Sequence, residues 1–139
     1  MRSTIAQEGT ATDYILLEAD TDLQAVLETT VGSPTYQQLR DAHEAAIALM
    51  ASDKGPTLYK WLADVQRMGV LDVEASDYIN EEVAAQTSQQ GLKYLASVVP
   101  ADVFGEMAVD AWTEAAAQAG ITGKLFTSVE EARAWLAQQ

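Results

Sequence analysis

Along this chain the spacing of apolar residues switches repeatedly between two and three-to-four, and each switch is marked by turn or capping residues. Asp13 to Asp20 (DYILLEAD) is short and rich in strand formers. In Asp22 to Val31 the apolar Leu23, Ala25 and Leu27 alternate with the polar Gln24 and Glu28, the period of a half-covered strand. The polar Asp20-Thr21-Asp22 between them predicts an antiparallel hairpin. Gly32-Ser33-Pro34 then ends the strand and starts a helix, with Ser33 able to cap free N–H groups and Pro34 suited to the first helical position. Tyr36, Leu39, Ala42 or His43, Ala46, Ile47 and Met50 form one stripe of that helix, which runs to about Ser52 and is closed by Gly55-Pro56.

Leu58 to Ala63 is apolar on both faces, as a central strand is. A strand end at Asp64, a loop and a helix from Asp72 through Val73, Ile79 and Val83 to Gly91 follow. Leu92 to Val99 reads as a strand. Pro100-Ala101-Asp102 opens a helix with Val103, Phe104, Met107, Ala108, Ala111, Trp112 and Ala115, which ends at Gly120. Leu125-Phe126 fits a short strand, and Ser128-Val129-Glu130-Glu131 is a capping box that launches a last helix through Ala132, Trp135 and Leu136. Strands joined through helices run parallel with right-handed crossovers. The expected fold is therefore α/β: one mixed sheet of about five strands in ββαβαβαβα order, with an antiparallel N-terminal edge and helices packed on it.

The 139 residues make one domain, and 48% apolar composition is enough for a core. Residues 1–12 carry one basic residue and no apolar run, so they read as a flexible polar arm rather than a secretory signal, leaving 13–139 as the folded domain. No run approaches the roughly 20 apolar residues of a membrane span, and the expected location is cytoplasmic. A formal charge of -13 repels nucleic acid and anionic membranes, while the absence of cysteine removes disulfides and thiolate chemistry.

The ordered set Gly32-Ser33-Pro34-Thr35-Tyr36, Leu62-Ala63-Asp64, Gly91-Leu92-Lys93-Tyr94-Leu95-Ala96 with Val99, Asp102-Val103-Phe104, and Phe126 to Leu136 (FTSVEEARAWL) resembles the bacterial SpoIIAA-like proteins of STAS/SEC14 type. The resemblance covers the chain from Tyr14 onward. It implies a regulatory domain: the better-known STAS members bind a partner kinase and are switched by phosphorylation of the second Ser in an Asp-Ser-Ser-Gly turn. Setting Asp64 on the family's strand-ending Asp places Asp72-Val73-Glu74-Ala75 on that turn, so the acceptor position holds Glu74. A carboxylate cannot accept phosphate, although its charge partly mimics phosphoserine. Asp72 and Glu74 also suit a helix N-terminus, where the dipole favours negative charge by roughly 0.3–1 kcal/mol. Ser76 is a poor substitute acceptor.

The chemistry-bearing residues are few. His43 is the single histidine, with Glu44 beside it and Arg40 one turn before; it lacks a visible nucleophile or a second metal-ligand histidine, and reads as a structural or surface histidine. Glu81-Glu82 and Glu130-Glu131 are adjacent pairs that splay apart on a helix. Trp61, Trp112 and Trp135 with Tyr59, Tyr94, Phe104 and Phe126 read as core, a subset of which could line a cavity. Asp64 and Asp72 could flank a small pocket or simply cap the loop. Arg67, Met68, Val70 and Leu71 fall in a loop whose apolar side chains suggest a contact surface. The sequence thus favours a non-enzymatic module that binds a protein partner or self-associates through Asp64, Arg67, Met68, Val70, Leu71, Asp72 and Glu74. The alternative is a carrier or sensor of a small apolar, lipid-like ligand held between sheet and helices. No catalytic set, cofactor or metal site is expected.

Overall fold

A computed structural model describes residues 1–101 and 107–139, and the side chains of all of these except 107–112. Their elements are strands β1 (Arg2–Gly9), β2 (Tyr14–Asp20) and β3 (Ala25–Gly32), helix α1 (Tyr36–Ala51), strand β4 (Lys60–Met68), helix α2 (Val73–Tyr78), a π-helical turn (Ile79–Val83), helix α3 (Ala84–Gln89), strand β5 (Tyr94–Val98), helix α4 (Met107–Gln118), strand β6 (Thr122–Phe126) and helix α5 (Val129–Ala137). The strands form one α/β mixed sheet in the order β1-β2-β3-β4-β5-β6. The first three strands are antiparallel and the rest are added in parallel, as helix crossovers require.

The sheet has six strands where about five are expected, because residues 2–9 are not a loose arm. They pair with β2 from Arg2↔Asp20 to Gly9↔Tyr14, with a bulge between Thr4 and Ala6. The partly buried Ile5 and Ala6 pack against the core, while the rest of β1 is largely polar, as an edge strand facing water can be. The turn between β2 and β3 is also longer than expected. Asp20 Oδ1 accepts from the N–H groups of Asp22 and Leu23 at 3.1 and 3.0 Å, and Gln24 adopts φ 60°.

Helix α1 is capped by Thr35, not Ser33. The Thr35 hydroxyl accepts from Gln38 N–H and the Gln38 side chain accepts from Thr35 N–H, both halves of the reciprocal box that Thr-Tyr-Gln-Gln encodes. At α5 only half of the expected box forms: Ser128 Oγ accepts from Glu131 N–H at 3.3 Å and donates to Glu130 Oε2 at 2.9 Å. The expected opening of α4 at Asp102, with Val103 and Phe104, lies outside the described residues.

Two cores lie on opposite faces of the sheet. On one, Ile15, Leu17, Val26, Trp61, Ala63, Val65 and Leu95 meet α1 (Leu39, Ala42, Ala46), Ala75 of α2 and Ala116 of α4. On the other, Ala25, Leu27, Leu62, Ala96, Val98 and Phe126 meet Ala132 and Leu136 of α5. Both faces of β3 and β4 are therefore covered. Glu28, polar by alternation, is consequently carried indoors and is only 8% exposed.

Candidate functional site: a cavity between sheet and helices

A cavity of about 460 Å³ separates the first face of the sheet from α1, the α2–α3 segment and α4. Its floor is β3 and β4 through Glu28, Thr30, Trp61 and Ala63. Its walls are Leu39 and His43 of α1, Ser76, Ile79, Asn80, Val83, Ala84 and Thr87 of the α2–α3 segment, and Leu92, Leu95, Ala116 and Ile121. The small side chains of Ala63, Ala84 and Ala116 leave room there. Val70 lines it too and is 90% exposed, so the cavity reaches the surface at the Gly69–Leu71 loop.

The loop's position depends on a bulge in β4. Thr29 pairs with Asp64 and Val31 with Arg67, so Val65 and Gln66 together oppose Thr30. One extra residue inverts the alternation beyond it. Ala63 faces the cavity before the bulge and Met68 after it. Asp64, of the opposite parity, shares the α5 face with Leu62 and accepts from Gln66 N–H and Nε2 at 3.2 and 3.1 Å. Gly69 continues the approach: its N–H donates to Gly32 C=O at 2.7 Å, and an added Cβ would come within 2.7 Å of Ser33 Oγ.

These facts correct the expected loop. Strand β4 runs to Met68, so Asp64 does not end it, and Arg67 and Met68 are strand residues. Met68, Val70 and Leu71 line the cavity; Asp64, Arg67, Asp72 and Glu74 do not. Arg67 is exposed. Asp72 caps α2, accepting from Ala75 N–H at 2.8 Å, and Glu74 is exposed in its first turn. Glu74 shares a shallow surface hollow with Tyr36, Asp77, Tyr78, Glu81 and Glu82.

One end of the cavity is polar. Glu28 Oε1 accepts from Trp61 Nε1–H at 3.0 Å, and Oε2 accepts from Thr30 Oγ–H at 2.6 Å. Among the described residues, no lysine or arginine lines the cavity, and Glu28 has no ion-pair partner. His43 is 2% exposed and lies parallel to the Trp61 ring, with centroids 5.7 Å apart. Its Nδ1 is 2.7 Å from Leu39 C=O. A carbonyl only accepts, so Nδ1 is the donor to Leu39, and in the neutral imidazole Nε2 is then the acceptor. Arg40, one turn before, pairs instead with Glu44 at 2.8 Å and donates to Tyr36 Oη. Behind His43, outside the cavity lining, Tyr78 lies edge-on to His43 and Tyr36 at 6.0 and 5.6 Å. Burial pushes its phenol up to about 12, with the nearby Glu44 charge adding to the shift.

Glu28 and Thr30 were hidden in the sequence as ordinary polar positions of a strand. His43 lies on the predicted stripe. Of the aromatic set, Trp61 lines the cavity, whereas Tyr59, Tyr94, Phe126 and Trp135 stack on the α5 face; the side chains of Phe104 and Trp112 lie outside the described residues. Among the described residues, no three His, Asp or Glu side chains converge as a metal site, and no helix is long and apolar enough to cross a membrane.

No protein-family model matches the chain, and no curated protein matches it. Among solved structures it is similar to an uncharacterised protein of the DUF3478 family with a SpoIIAA-like fold, from Shewanella loihica PV-4. The TM-score is 0.59 and the identity 18%, over 98% of this chain and 95% of that one. At that identity the likeness carries the fold and nothing finer. With six ordered strands and helices on both faces, the chain has the SpoIIAA-like fold.

Proposed function

We propose that this protein is a non-enzymatic carrier or sensor of a small, largely apolar molecule bound in the cavity between the sheet and its helices. The observation that carries the reading is the cavity itself. Its volume of about 460 Å³ lies within the range of small-molecule sites, roughly 300–1,000 Å³. Apolar walls surround a few convergent polar groups, the usual make-up of such sites. At about 30 Å³ for each water-sized unit, it has room for on the order of fifteen non-hydrogen atoms. Native mass spectrometry of freshly purified protein tests the reading directly: a retained small molecule, or uptake of one equivalent of a neutral apolar probe such as decanol, is expected. Protein that takes up no apolar probe at all would sink it.

A second reading, docking of a protein partner or a second copy, draws on Val70 and Val73, which are 90% and 76% exposed beside the cavity mouth. Under it Glu74 stands where a phospho-acceptor would, and no phosphoserine switch operates. Replacing both valines by serine should then abolish any dimer seen in sedimentation; a wild-type chain that stays monomeric at high concentration speaks against self-association.

A further inference from the structure

We infer that the cavity selects an amphiphile whose head donates hydrogen bonds, a primary ammonium or an alcohol, and rejects a carboxylate head. This rests on the ligand-carrying reading above and adds the chemistry of the head group. Glu28 is the central observation. A carboxylate that is 8% exposed, with no ion-pair partner among the described residues, is a costly arrangement, since buried charges are ordinarily paired. Its two hydrogen bonds come from the neutral Trp61 indole and Thr30 hydroxyl, and each carboxylate oxygen keeps a second lone pair. His43 lines the same cavity and, as the neutral imidazole with Nδ1 committed to Leu39, offers Nε2 as an acceptor. The sheet end of the cavity therefore presents acceptors with lone pairs to spare: each Glu28 oxygen already takes one neutral donor and can take a second. An ammonium supplies three donors and the missing positive charge, and an alcohol supplies one donor. A carboxylate or phosphate head supplies only acceptors, and the described lining residues hold no lysine or arginine to neutralise it. The formal charge of -13 works in the same direction by raising the local concentration of cations.

The test is calorimetric titration of the full chain, at moderate salt, with decylamine, decanol and decanoate, repeated on Glu28→Gln. Expected are saturable one-to-one binding of the amine and the alcohol, and decanoate weaker than either by at least about tenfold. Glu28→Gln should cost the amine about tenfold and the alcohol much less. Glu28→Gln alters one of the chain's 21 acidic residues, so a loss on that scale cannot come from diffuse attraction. Equal binding of all three heads, tighter binding of decanoate, or an amine affinity indifferent to Glu28→Gln would each overturn the inference while leaving the carrier reading intact. Binding of none would remove the carrier reading itself. The ranking of heads on the unaltered protein decides the matter even where Glu28→Gln does not fold.

Discussion

Tyr78 sits at the junction of α2 and the π-helical turn with its ring against His43 and Tyr36 and its hydroxyl buried without a hydrogen-bond partner among the described residues. An orphaned hydroxyl costs about 1–3 kcal/mol, whereas the ring around it still packs. Tyr78→Phe should therefore stabilise the fold by about 1 kcal/mol, read as a higher urea midpoint at an unchanged slope; a lower midpoint would show that the hydroxyl has a partner. Single residues were unevenly legible in the sequence. The spacing of α1 puts Ala42 or His43 on the buried stripe, and both are buried. Glu28 could not be placed in this way, because strand alternation assigns a polar residue to the wet face and here neither face is wet: α5 covers one and the α1–α4 layer the other. The residue that most defines the cavity's chemistry was thus the one whose local pattern argued for solvent.

Among the elements, the periodic helices α1 and α5 are readable from their apolar stripes and the capping residues before them, although the cap of α1 is Thr35, two residues beyond the expected Ser33. Features set by a partner strand are not readable. The bulge in β4 arises only from pairing two residues against Thr30, so the sequence read Val65 to Met68 as the start of a loop. Strand β1 is polar enough to pass for an arm and is held by its ladder to β2. The hairpin and α5 are joined by Asp20, which accepts from Leu23 N–H and pairs with Arg133 Nη2 at 3.0 Å. Burial raises the Asp20 pKa, but the hydrogen bond from Leu23 and the Arg133 partnership together outweigh it, and the net shift is downward. A carboxyl depressed in the folded state contributes stability above its unfolded value of about 3.9 and loses it as pH falls through the folded value. Asp20→Asn should cost about 1 kcal/mol at pH 7, a figure discounted because the Arg133 side chain is 38% exposed. It should also flatten the loss of stability below about pH 4 in denaturant titrations across pH. An acid limb as steep as that of the wild type would contradict this role.

At the scale of the whole molecule, a sheet covered on both faces leaves the apolar cavity as the place where the SpoIIAA-like fold departs from simple packing. Its opening at Gly69–Leu71 and its acceptor-rich floor at Glu28 give it a mouth and a polarity. The most direct test follows the indole Nε1–H resonance of Trp61, which donates to Glu28 at the cavity floor, while decanol is titrated into the wild type and into Ala116→Leu. Ala116 is 2% exposed and lines the cavity, so the larger side chain fills part of the void. The account predicts a saturable shift of the Trp61 signal in the wild type, with the affinity reduced at least about tenfold in a folded Ala116→Leu. A Trp61 resonance that decanol does not move, or one that moves identically in both proteins, would contradict the claim that this cavity is the ligand site.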